Sequence, residues 1–193
     1  MTPTPGEDGA PIEFFADAAA FERWLDDHVD HRPGVWLKIA KKSSGVTSLT
    51  DDEAVDVGLC YGWISGQRRS LDATHYLQKY VPRRPRSRWS MVNVRKVGQL
   101  TAAGRMRPSG LAEVEAARAD GRWDAAYASQ AEATVPDDLA DALRSSPPAE
   151  RTFAALSRTE RYAVILDVVT TRTQRTRATR IARAVADLET RRP

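Results

Sequence analysis

Apolar positions recur along the chain with two different periods, and the switches between them outline its organisation. Residues 35–42 alternate, with Val35, Leu37 and Ile39 on one side and Trp36, Lys38 and Ala40 on the other, which is strand periodicity. Residues 63–71 and 75–81 read as adjacent antiparallel strands around a turn at Asp72-Ala73-Thr74. In the second of them Tyr76, Gln78 and Tyr80 share one face, and Leu77, Lys79 and Val81 the other. Helical spacing takes over elsewhere. A helix is predicted after Asp17, a good N-cap, with Ala18, Phe21, Leu25 and His28 on one stripe and Trp24 beside it. Thr50-Asp51-Asp52-Glu53 is a capping box that opens a second helix, which ends near Gly62. Gly58 inside it costs up to about 1 kcal/mol against alanine, so close backbone packing is expected there.

Ser87 or Ser90 caps a helix running to about residue 103, with Val94, Val97 and Leu100 inward and Gly104 as its stop. Beyond Arg105 the pattern is almost wholly helical, with segments near 111–119, 137–144, 148–156, 158–171 and 174–191. Ser157 and Glu160 form a second capping box, and the last helix turns Ala178, Ile181, Val185 and Leu188 inward. The reading is an α+β fold: a small antiparallel sheet of about three strands packed by helices, followed by a helical C-terminal bundle. Residues 1–13, rich in proline and glycine, read as a disordered tail, 14–110 as the α+β domain and 111–193 as the helical region.

Composition excludes several classes. No apolar run approaches the roughly 18 residues a spanning helix needs, so membrane insertion is not expected. The first residues show neither a basic nor an apolar signal region, and the single Cys60 fits a reducing compartment, so a cytoplasmic location is expected. The net charge of +3 hides a strong asymmetry along the chain. Residues 57–112 hold eleven Lys/Arg and one acid, Asp72, whereas residues 1–56 hold twelve acids and five Lys/Arg. A block that basic is a local field.

Most catalytic signatures are missing: there is no G-x-S-x-G, phosphate loop, H-E-x-x-H or C-x-x-C. A non-enzymatic binding protein without cofactor or metal is therefore expected, with an enzyme using Cys60, His75 or Asp72 as a remaining alternative. His28 and His31 have spacing compatible with metal, but a solvated helix end explains them as well. The most specific feature is Arg83-Arg84-Pro85-Arg86-Ser87-Arg88-Trp89, four guanidiniums beside an indole and ahead of a helix. Guanidinium forks and free backbone amides favour phosphate or carboxylate. Two readings stand: an anionic partner, or pairing with the chain's own acids.

The motifs Gly34-Val35-Trp36-Leu37-Lys38, Cys60-Tyr61-Gly62-Trp63-Ile64-Ser65-Gly66-Gln67-Arg68-Arg69, the run from Pro82 to Asn93, and Gly104-Arg105-Met106-x-Pro108-x-Gly110 together resemble the YdeI/OmpD-associated, or bacteriocin-protection, family. The likeness extends from Phe14 onward and includes Arg161-Tyr162. It implies a YdhG-like N-terminal part, a helical C-terminal region, a link to antimicrobial or bacteriocin protection, and no established reaction. Family members usually carry Asp where this chain has Ser65, so an acid role at that position is not available here. Iron carriage, proposed for YdhG-like relatives, would need an acidic ridge, and the sheet region is basic.

The expected ligand-binding set draws Trp36 and Lys38 from the first long strand, and Tyr61, Trp63, Ser65, Gln67, Arg68 and Arg69 from the next motif. Tyr76 follows, and then Arg83, Arg84, Arg86, Arg88, Trp89 and Asn93. In the leading reading Trp63 and Trp89 stack on a nucleic acid or phosphate-bearing ligand while the arginines supply charge. In the alternative, a small molecule or antimicrobial peptide enters an aromatic pocket formed by Trp36, Tyr61, Trp63 and Tyr76.

Overall fold

The computed structural model describes residues 8–171 and 173–191. They form two compact units: one of residues 8–87 and 95–120, the other of 88–94 and 121–191.

In the first unit, four strands make one sheet. These are β1 (Ile12–Glu13), β2 (Val35–Ala40), β3 (Trp63–Ser70) and β4 (His75–Pro82), in the order β1-β2-β4-β3. The three long strands pair antiparallel as the alternation requires, and β1 adds a short parallel edge, with Ile12 opposite Trp36. The sheet is therefore mixed and has a strand more than the pattern predicts. Residues 8–13, expected to belong to a disordered tail, are ordered: Ala10 is buried, and Trp36 donates its amide to the Pro11 carbonyl at 2.8 Å. Met1 to Glu7, the rest of that expected tail, lie outside the described residues.

Helices α1 (Ala18–His28) and α2 (Asp51–Cys60) cover one sheet face. Asp17 caps α1 by accepting from the Ala20 amide, and Phe21 and Leu25 are buried from it. Both halves of the Thr50–Glu53 capping box form at α2, a local gain of about 1 kcal/mol. Gly58 does pack closely: a Cβ there would lie 3.0 Å from the ring of Tyr80, which meets Phe21 edge-on. Gly62 turns the chain into β3 at φ +77°, a left-handed conformation that favours glycine. Helix α3 (Met91–Ala102) starts at Ser90, whose hydroxyl accepts from the Asn93 amide, and buries Val97 and Leu100 while Val94 stays half-buried. Helix α4 (Pro108–Ala119) falls in the same compact unit as the sheet, which extends to residue 120.

The second unit is built from α5 (Asp137–Arg144), α6 (Pro147–Ala155), α7 (Arg158–Val169) and α8 (Gln174–Thr190). Leu139, Leu143, Phe153, Leu156, Ile165, Val168, Ile181 and Leu188 form its core, with α8 touching the other three helices. Of the expected inward set on α8, Ile181 and Leu188 are buried, Val185 is half-buried and Ala178 is exposed. Ser157 and Glu160 complete the second capping box. The fold class is thus α+β with a helical C-terminal region, as the periodicities indicate.

Candidate anion-binding surfaces

The basic block comes to the acids that precede it in sequence. Arg68 bonds Asp51 at 2.6 Å, and Lys79 bonds Asp8 at 2.6 Å. Lys96 sits between Asp52 and Asp56 at 2.9 and 2.7 Å. Glu22 takes Arg105 at 3.1 Å and approaches Arg107 at 3.9 Å. Five of the eleven cations in residues 57–112 therefore pair with carboxylates from residues 1–56. Intramolecular pairing thus accounts for a large part of the charge asymmetry, but none of these five cations belongs to the 83–88 run for which pairing is the alternative reading.

Tryptophan stacking on a ligand is not supported by the geometry. Trp63 is 1% exposed, donates its indole N–H to the Val29 carbonyl at 3.0 Å, and meets Trp24 edge-on. Trp89 is equally buried against Trp123, with ring centroids 5.0 Å apart in the second unit. Both indoles are too large and apolar to be left in water when a core can take them. The aromatic pocket does not form either, because its four rings go to different places. Trp36 lies on the sheet face away from α1 and α2. Tyr61 is buried with its hydroxyl donating to Asp26 at 2.6 Å, and burial followed by that bond pushes its pKa up to about 12. Tyr76 lies under the Arg68 guanidinium at 4.6 Å.

Arg68 is further fixed by donating from Nε to Gln78 Oε1 at 2.7 Å. The Gln78 amide donates to the carbonyls of Gly66 and Gln67, at 3.0 and 3.1 Å. These carbonyls lie where the β3–β4 register slips by a residue between Ser65 and Arg68, so Gln78 stitches a bulge. Ser65 and Gln67 are exposed along this strand, and Arg69 reaches over the Trp36 ring at 5.5 Å. Gln78 was not anticipated as a site residue; a buried amide in a strand carries no periodic signal.

In the arginine run, Arg83 is not on an exposed connection as expected; it is 3% exposed, with its amide donating to the Gly62 carbonyl at 3.0 Å. Arg84 and Arg86 are exposed on a turn closed by Ser87, which donates its amide to the Arg84 carbonyl and accepts from the Arg84 amide. Among the described residues no carboxylate pairs with either guanidinium. Arg88, also exposed, and Asn93 belong to the second unit.

On the far sheet face, Trp36 and Lys79 are register partners and both grip Asp8. The indole N–H donates to the carboxylate at 3.2 and 3.4 Å, and Lys79 Nζ at 2.6 Å. Burial opposes ionisation of Asp8, but the bonds from Lys79, the Ala10 amide and Trp36 hold its pKa below the usual carboxylate range. In the next row Lys38 and Arg69 flank Leu77. Sequence reasoning found Trp36, Lys38 and Arg69 but missed Asp8 and Lys79, since an acid in a proline- and glycine-rich segment gives no local cue.

The enzyme alternative does not assemble. Asp72 and His75 lie at the β3–β4 turn, 3.6 Å apart, while Cys60 ends α2 at the opposite end of the eight-residue β3. Burial raises the Cys60 thiol, and amides of Thr74 and His75 hold Asp72 at about 2 in a turn-closing role. His28 stacks on Trp24 at 4.2 Å, and its Nδ1 lies 2.8 Å from the Trp24 carbonyl. Among the described residues no group of three potential ligands gathers for a metal ion. No described helix is long and apolar enough to cross a membrane.

A sheet unit carrying basic and aromatic side chains, joined to a helical unit, defines a two-part α+β protein in which Cys60, His75 and Asp72 do not share one site. The chain belongs to a family described as a domain of unknown function (DUF8412), which matches residues 13–113, and this replaces the expected YdhG-like assignment of the N-terminal part. Residues 132–191 match the family described as bacteriocin-protection, YdeI or OmpD-associated, so that resemblance holds for the helical unit. No curated protein and no solved structure matches the chain.

Proposed function

We propose that the chain is a non-enzymatic binding protein that contacts a phosphate-bearing, anionic partner through the turn of residues 82–87. The observation that carries this reading is the exposure of Arg84 and Arg86 with no carboxylate paired to them among the described residues, where five cations of the same block are neutralised. Pro85 and the Ser87 bonds restrict the turn, so less side-chain and backbone freedom is lost on binding. Guanidinium forks suit phosphate oxygens. The test is binding of heparin and of a single-stranded oligonucleotide at low salt. The Arg84→Ala/Arg86→Ala double variant is expected to lose at least tenfold in affinity; equal binding by the variant would remove the reading.

A second reading follows the match of residues 132–191 to a bacteriocin-protection family and places peptide capture on the helical unit. A concavity of about 480 Å³ between α7 and α8 supports it, with Leu156, Val164 and Leu188 as an apolar floor and Arg180 and Arg183 at the rim. Filling it with Val164→Trp should abolish peptide protection or binding while leaving heparin binding intact. Unchanged peptide binding in that folded variant would exclude the groove.

A further inference from the structure

We propose that the sheet face around Trp36 is a carboxylate-binding cradle, and that Asp8 of the chain's own N-terminal segment fills it as a built-in competitor. This inference is independent of the arginine turn. Its donors are rigid: Trp36 and Lys79 face each other across the β2–β4 ladder, at 1% and 9% exposure. They converge on one carboxylate, the indole at 3.2 Å and the ammonium at 2.6 Å from the same oxygen. A lysine so deeply placed requires a counter-ion, and an apolar pair at this spot would serve stability as well or better. The cradle is thus specified for an anion.

The group that satisfies it stands on a short edge segment. Asp8 is followed by Gly9 at φ +74° and by a parallel pairing of two residues, Ile12 with Trp36 and Glu13 with Leu37. Ala10 covers Trp36 and Leu77 from above. Lifting residues 8–10 would uncover an indole, a leucine and Lys79, with Lys38 and Arg69 in the adjoining row. Among the described residues Lys38 pairs with no carboxylate. Trp36 and Lys38 are two residues apart on one strand, about 7 Å, which is also the spacing of alternate side chains in an extended peptide. A ligand with two carboxylates at that spacing meets Trp36–Lys79 with one and Lys38 with the other. The occupant is an extended acidic peptide, which can take the edge position of β1.

The experiment uses the full chain with Asp8→Ala, and with Asp8→Asn as a second variant should alanine disturb folding. The assigned Trp36 indole N–H resonance is followed by NMR. The probes are adipate, whose two carboxylates can reach the Trp36–Lys38 spacing, the hexapeptide of residues 8–13, which carries the cradle carboxylate, and that peptide with its aspartate changed to asparagine. Saturable movement of the resonance is expected with the aspartate peptide, at least tenfold weaker with the asparagine peptide, and at least tenfold weaker in the wild-type chain, where Asp8 competes. Lys79→Met on the Asp8→Ala background should remove the response, and Lys79→Arg should restore part of it. Response to adipate at equal strength would overturn the peptide assignment in favour of a free dicarboxylate, and response to the peptide alone supports it. No response to either probe in a folded Asp8 variant, equal response to the asparagine peptide, or equal affinity in the wild-type chain would overturn the proposal.

Discussion

At the scale of single residues, close approach is decided by atoms that the linear sequence does not place together. A Cβ on Gly110 would sit 2.1 Å from the Cys60 carbonyl oxygen and 2.8 Å from that of Leu59, both backbone atoms that cannot swing away. Gly110→Ala should therefore destabilise the chain by about 3 kcal/mol in denaturant unfolding, at the upper end of overpacking costs. Gly98, inside α3, has nothing within 4 Å of such a Cβ, and Gly98→Ala should stabilise by about 0.5–1 kcal/mol through helix propensity. An unchanged Gly110→Ala variant would mean that α4 does not press its backbone onto the end of α2. Sequence reading reached the close packing of Gly58 because a glycine within a helix is a local anomaly, but Gly110, although part of a motif, sits near a helix start where glycine gives no packing cue. The tryptophans failed for a related reason. An indole beside arginines has the same spelling whether it stacks on a ligand or fills a core, and only the tertiary partners, Val29 for Trp63 and Trp123 for Trp89, decide.

At the scale of elements, helix ends were legible from caps and prolines. Both capping boxes form at α2 and α7, and Pro136 precedes α5, which matches residues 137–144 end to end without a side-chain cap. The long strands were legible from alternation, whereas β1 was not, since two residues carry no period and its register is set by the Trp36 amide finding the Pro11 carbonyl. Caps also bring testable electrostatics. The Ser157 hydroxyl and then Arg191, 2.5 Å away, hold Glu160 at about 2, below its ordinary 4.5. A carboxyl depressed in the folded state adds stability that is fully present above the unfolded pKa and is lost as pH falls through the folded one. The α7–α8 clasp should therefore weaken between about pH 4.5 and pH 2. Glu160→Gln keeps a group able to cap but loses the charge, so its Tm should lie below the parent's at neutral pH and converge with it near pH 2. A constant offset across that range would mean that the Arg191 contact contributes nothing.

At the scale of the whole molecule, blocks of charge along a sequence do not translate into a field on the surface. The span of residues 57–112 carries +10 when counted alone. In the folded chain Arg68, Lys79, Lys96, Arg105 and Arg107 spend their charge on Asp51, Asp8, Asp52 with Asp56, and Glu22. The two readings of binding to DNA then differ by a measurable number. A free block of ten charges would release enough counter-ions for a slope of about −9 in log affinity against log salt. A contact limited to Arg84 and Arg86 gives roughly −2, and correspondingly weak binding that is lost between low and physiological salt. Because Trp63 and Trp89 are 1% exposed, their emission should not change as duplex DNA or heparin binds. A steep slope with quenched tryptophan emission would mean that the ion pairs open and the rings turn outward when a polyanion arrives. A slope near −2 with constant emission would fix the contact at the turn and leave the acid–base pairing of the sheet unit as internal architecture.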